Sequence, residues 1–154
     1  MRLGLVYDDI FLEHGPDGVP ENRHRLEAIM ARLDATGWLK ELVEVSFEAA
    51  SPEELAWLHD PGYVEELAGM CEAGGGHLDF DTVATSRTYA AATAAAGAAM
   101  TAARKVLGGH LDAAFCALRP PGHHARPARG MGFCFFNNAA LAAEAARRDG
   151  ADRV

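Results

Sequence analysis

Cysteine is scarce in this chain: Cys71, Cys116 and Cys134 are three in number, far apart and without a C-x-x-C pair. That pattern excludes a disulfide framework and a cysteine metal knuckle, and a reducing cytoplasm is the expected compartment. Basic charge is in deficit too, 14 lysines and arginines against 22 aspartates and glutamates, for a formal net charge of −8. Such a balance argues against a nucleic-acid-binding surface; ordinary solubility accounts for it, with weak room for a cationic substrate or partner. Long apolar runs are also missing. The most apolar stretch, Tyr89 to Ala103, is Ala-rich and shorter than the roughly 20 strongly apolar residues a bilayer demands, so it reads as a small-residue helix packed closely against its neighbours. The opening R-L-G-L-V-Y reads as strand and offers neither the n-region nor the h-region of a signal peptide.

What remains is a chain of 154 residues, 49% hydrophobic, enough for one domain with a core of its own. Its elements alternate. Leu3 to Tyr7 is a short apolar run suited to a buried strand, and Pro20 to Thr36 sets Leu26, Ile29, Met30 and Leu33 on one helical face before Gly37. A second strand is predicted over Val43 to Phe47. Ser51, Pro52 and Glu54 then form a capping-box start for a short helix, and Asp60 caps the next one, which Gly74, Gly75 and Gly76 end as a loop. That triplet lacks the Lys-Ser/Thr of a phosphate-binding loop and does not lead from strand into helix. A long helix over Ser86 to Leu107 and a strand over Ala113 to Leu118 complete an α/β pattern with a parallel sheet.

At the C-terminal end of that last strand stands R-P-P-G-H-H-A, Arg119 to Ala125. Ligands of open parallel sheets collect beyond the carboxyl ends of strands, so the position favours chemistry. Pro120 and Pro121 restrict the backbone and Gly122 frees it, leaving His123 and His124 as two positioned imidazoles at one turn. Adjacent side chains diverge, so the rings are not expected to stack, but both can line one cavity. Two neighbouring imidazoles can divide proton transfer, one accepting a proton from water while the other carries or donates one. The remaining histidines, His14, His24, His59, His77 and His110, read as satisfied core or surface residues. The following G-M-G-F-C-F-F-N-N puts flexible backbone and the Phe133 ring beside the pair, with Cys134, Phe135 and Phe136 as an apolar floor and Asn137 or Asn138 capping a last helix that runs to Gly150. Phe133 reads equally well as a pocket wall or as a core residue.

R-P-P-G-H-H-A followed by M-G-F-C-F-F-N-N-A-A-L-A-A resembles the active-site signature of the zinc-dependent histone deacetylase family, in the class II-like form shared with acetylpolyamine amidohydrolases and acetoin-utilisation proteins. H-G-P-D-G-V-P-E-N-R-H-R-L resembles the family's first active-site loop, with Val19 where a histidine is usual, and W-L-H-D-P-G-Y-V-E-E-L and L-D-F-D-T resemble later segments. The resemblance implies an arginase-like three-layer α/β/α fold with a parallel sheet. It also implies hydrolysis of acetyl-lysine or acetylated amines, polyamines included, by metal-activated water. By the same resemblance His123 and His124 match the catalytic dyad, His124 as the general base and acid. Phe133 matches a tunnel wall, Gly132 a backbone contact to the substrate amide and Asp81 a rim residue that holds the substrate backbone.

The family's metal ligands, an Asp-x-His and a later Asp, have no match here, and neither H-E-x-x-H nor a spaced His/Asp triad replaces them, although catalytic zinc takes about three protein ligands. Residues 1–154 are therefore expected to be the N-terminal portion of a single deacetylase domain, truncated, with zinc held elsewhere in the complete domain, an open sheet edge beside Ala113 to Leu118 and no activity alone. The contrasting expectation is a non-catalytic fragment or binding protein. No direct nucleic-acid or membrane partner is expected, and oligomerisation is left open.

Overall fold

The computed structural model describes residues 1–15 and 17–154. Three parallel strands carry the domain, β1 (Leu3–Val6), β2 (Val43–Glu44) and β5 (Ala113–Cys116), in the order β2-β1-β5. β1 is central, with Leu5 opposite Glu44 on one side and Phe115 on the other. Leu5 and Tyr7 share one face with Met30, Leu39 and Leu42, which leaves Gly4 and Val6 to the opposite face of the pleat. The predicted α/β class with a parallel sheet is the observed one.

The described residues form five α-helices: α1 (Arg23–Ala35), α2 (Pro52–Leu55), α3 (Pro61–Glu72), α4 (Thr88–Leu107) and α5 (Asn138–Arg148). The capping box at Ser51 and Glu54 is present in both directions, and the Asp60 side chain accepts from the Gly62 and Tyr63 amides. α1 starts three residues later than its apolar spacing predicts, because the Asn22 side chain accepts from the His24 amide and fixes the first turn there. Pro20 and Glu21 are thereby left in the loop before the helix. The strand predicted over Val43 to Phe47 ends at Glu44. Val45 still donates to the Leu5 carbonyl, but the chain then leaves the sheet to reach α4, where the Ala50 amide donates to the Thr93 carbonyl at 2.9 Å.

The glycine triplet is another correction. Gly75–His77 is strand β3, paired antiparallel with β4 (Val83–Thr85), rather than pure loop. Gly75 has φ +112, and a Cβ there would lie 2.8 Å from the Thr85 Cα, so only glycine lets the two backbones approach this closely. The hairpin delivers L-D-F-D-T to the loop between β3 and β4.

α4 is the axis of the molecule. Its small residues let it pack against α5 on one side and against β1 and β5 on another, and it contributes to both apolar clusters. Ala92, Ala96 and Met100 belong to the one with Leu67, Phe135 and Phe136, and Ala94, Ala95 and Ala98 to the one with Leu5, Val6 and Leu26. At Gly97 the segment from Glu48 to Ala50 crosses the helix; a Cβ there would run into the Glu48 carbonyl and lie 2.7 Å from the Ala50 amide nitrogen. β5 is an edge strand, with Phe115 41% exposed on it.

Because the atoms facing Gly97 are backbone and cannot swing aside, Gly97→Ala is expected to destabilise the fold by about 1–3 kcal/mol despite the better helix propensity of alanine. Urea unfolding measures this; an unchanged midpoint would show that the crossing segment is loose.

Candidate active site

Gly122 is buried hard against the start of α5: a Cβ on it would lie 2.6 Å from the Asn138 Cβ. The Asn138 side chain donates to the Pro120 carbonyl at 3.2 Å. Asn137 is the cap of α5, accepting from the Ala140 amide at 3.0 Å and donating to the Ala125 carbonyl at 3.1 Å. The two asparagines thus fasten both ends of P-P-G-H-H-A, Pro120 to Ala125, to one helix terminus, and the choice left open in the sequence falls to Asn137 as cap.

Between those fastenings His123 and His124 are exposed. Their ring centroids lie 4.1 Å apart with planes tilted by 46°, closer than the divergence expected of neighbouring side chains. The cause is local: both residues sit in a bend, not in an extended segment that would send them to opposite faces.

The return of the chain is a two-residue hairpin turn. Met131 and Cys134 exchange amide–carbonyl hydrogen bonds at 3.0 Å, and the residues between them, Gly132 and Phe133, have φ 59 and 64. Both central residues at positive φ is the primed turn that suits asparagine and glycine, and a phenylalanine there carries strain on the order of 1–3 kcal/mol. The Phe133 amide donates to the Thr82 hydroxyl at 3.0 Å, and that hydroxyl donates to Asp81 at 2.8 Å. Thr82 is fully buried, so the β3–β4 loop holds the strained turn from below.

Gly132 lies against His124, where a Cβ would come within 2.9 Å of the ring. Asp81, Thr82, Phe133, Gly132 and His124 therefore form one continuous run of contacts. Phe133 is half-buried and lines a narrow cavity with His14, Glu21, Asp81, Val83 and Phe135, whereas Phe135 and Phe136 are buried in the apolar cluster beneath. The Cys134 thiol is buried under the pair, accepting from the His124 amide at 3.5 Å and donating to the Gly132 carbonyl at 3.3 Å; burial pushes its pKa up, away from thiolate chemistry.

Sequence reasoning passed over the residues that support this surface. Arg119 is fully buried, and its Nε donates to Glu21 Oε1 at 2.8 Å while one terminal nitrogen donates to the Phe11 carbonyl at 2.9 Å. His14 is buried beside them, 2.9 Å from the Thr88 hydroxyl, and His59 is buried under the loop after His124. His24, His77 and His110 are surface residues. A buried arginine has no periodic signature; the one available signal was its place directly before the Pro-Pro turn. Among the described residues, no three His, Cys, Asp or Glu side chains converge to hold a metal ion, and no helix is long and apolar enough to cross a membrane.

The profile of the histone deacetylase domain matches residues 19–154. A histone deacetylase-like amidohydrolase of Pseudomonas aeruginosa is 41% identical over 136 residues, which is 88% of this chain and 35% of that protein. A probable deacetylase of Methanothermobacter thermautotrophicus is 38% identical over 94% of this chain and 43% of its own length. The crystal structure of the HDA15 HD domain superposes with a TM-score of 0.92 at 30% identity, covering 97% of this chain and 44% of that one. The chain spans less than half the length of each of these relatives, and the superposition establishes the arginase-like arrangement implied by the sequence.

His14 supplies a test of how dry this layer is. Burial, and after it the Arg119 charge, lowers its pKa from 6.5 to about 3. The folded protein therefore keeps it neutral while the unfolded chain takes up a proton below pH 6.5, so its contribution to stability is complete above that value and is lost as pH falls toward 3. The loss is at most about 1.4 kcal/mol per pH unit. The His14 Cε1–H resonance is expected to show no titration between pH 8 and pH 5; an inflection near 6.5 would contradict a buried, neutral ring.

Proposed function

The chain belongs to the histone deacetylase family, and from that premise we propose that residues 1–154 form the N-terminal portion of a single deacetylase domain that hydrolyses acetyl-lysine or acetylated amines such as acetylpolyamines. The observation that carries the proposal is the exposed histidine pair, 4.1 Å between rings, standing beyond the carboxyl end of β5 with Gly132 and Phe133 at its side. In this reading His124 takes the proton of the attacking water as the new carbon–oxygen bond forms. It then delivers a proton to the leaving nitrogen as the carbon–nitrogen bond breaks. His123 shares that proton, the Gly132 backbone meets the substrate amide, Phe133 walls the acyl chain, and Asp81 at the rim holds the substrate backbone. The acidic balance of the chain suits cationic amines and lysines.

Zinc, which the family resemblance implies, finds no seat in the described residues and would need ligands from outside these 154 residues. The same observation supports the second reading, a non-catalytic deacetylase-like fragment or binding protein. A cytoplasmic location accords with the unpaired cysteines.

The polypeptide supplied with zinc is expected to show no turnover of acetyl-lysine peptides or acetylpolyamines above background; chelator-sensitive hydrolysis would contradict the half-site reading. In a protein that joins this segment to a complete metal site, His124→Ala is expected to lower kcat by about 10²–10⁴-fold, the range of a lost general base. Near-normal kcat would remove His124 from that role. In the same protein Phe133→Ala is expected to change KM and the preference among acyl groups with little change in Tm, whereas Phe135→Ala costs about 3–5 kcal/mol of stability as a core truncation. A stability loss at Phe133 with unchanged acyl preference would return it to the core.

A further inference from the structure

His59 lies in the turn between α2 and α3, 3% exposed and far in sequence from the histidine pair. Its Nδ1 is 3.1 Å from the Arg126 carbonyl and 3.3 Å from the Pro127 carbonyl, while its Nε2 accepts the Asn137 amide at 3.0 Å. The neighbouring Asp60 amide adds a bond to the Pro127 carbonyl at 2.9 Å. Burial lowers the pKa of His59, so at neutral pH the ring has one proton to place. Only one tautomer satisfies both ends: the proton on Nδ1, facing the carbonyls, and the lone pair of Nε2 facing the amide. The ring packs edge-on to Phe136 and tilted against Tyr63, with centroids 5.3 and 6.0 Å away, which leaves it little room to turn.

Its partners bracket the segment that carries the chemistry. Arg126 and Pro127 follow His124 by two and three residues, and Asn137 opens α5 and holds the Ala125 carbonyl with its side chain. We propose that His59 is a positioning residue for the His123–His124 pair, a cross-link that locks the outgoing limb of their loop to the cap of α5 through a single imidazole tautomer. The inference rests on the reading that this pair is the proton-handling unit. It distinguishes His59 from a filler of the core, because a filler needs the ring's shape and not its two polar ends.

The test uses the chain itself and does not depend on hydrolysis. Nitrogen-15 spectra of the His59 ring are expected to show Nδ1 protonated and Nε2 bare at neutral pH, the reverse of the tautomer that imidazole favours in water; a proton on Nε2 would overturn the proposal. His59→Phe keeps the ring and removes both polar ends. The Asn137 amide is then expected to exchange with solvent about tenfold faster, the equivalent of one lost hydrogen bond, and the ring resonances of His123 and His124 to shift or split, while amides in the middle of α4 keep their rates. Unchanged Asn137 exchange, or equal acceleration in α4, would reduce His59 to a general structural residue. Should the variant fail to fold, the tautomer in the unsubstituted chain decides. Inactivity of a completed enzyme would count against the deacetylase reading and leave these spectra untouched.

Discussion

The buried ion pair of Arg119 and Glu21 is the constraint on which the rest of the site depends. A guanidinium removed from water costs several kcal/mol unless its charge and hydrogen-bond donors are answered. Here Glu21 Oε1 answers Nε at 2.8 Å, and the Phe11 and Glu21 carbonyls answer the two terminal nitrogens at 2.9 and 3.4 Å. Glu21 receives Arg25 as well, at 3.2 Å. The pair joins the loop before α1 to the end of β5, so the chain enters Pro-Pro-Gly at one fixed point. His14 is kept neutral by the same dry layer and by the same arginine charge. A neutral group beside the pair leaves its charges balanced.

From that fixed point the histidine loop is built by satisfied polar contacts and little apolar burial. Pro120, Ala125, Arg126 and Pro127 each offer a carbonyl to a buried or half-buried side chain at the start of α5 or in the α2–α3 turn. No buried side-chain nitrogen or oxygen among the described residues lacks a partner. The strain is concentrated in one place, the Phe133 backbone, and it is held there by the Thr82 hydroxyl. A residue kept at positive φ by a buried donor–acceptor chain marks where the fold gives up stability to hold one local backbone geometry, here beside His124.

Much of this was legible in the sequence, and the parts that were not share a cause. The capping box at Ser51, the cap at Asp60 and the alternation of strand and helix are local signals, and local chemistry fixes them. The position of His123 and His124 beyond a strand end was also legible, because topology follows from that alternation. The early end of β2 was not, since it depends on Glu48 to Ala50 being drawn onto Gly97 of α4. Nor was the β3–β4 hairpin, where glycine's backbone approach outweighs its poor strand propensity. His59 read only as a satisfied core or surface histidine and Arg119 had no reading of its own, because burial of a polar side chain is decided by partners about 70 and 100 positions away.

The proposed half-site is preorganised by contacts inside the chain. Backbone nitrogen-15 relaxation over residues 119–136 tests that claim directly. The fold predicts order parameters of about 0.85 through His123, His124 and Phe133, matching the middle of α4; values below about 0.6 there would contradict it.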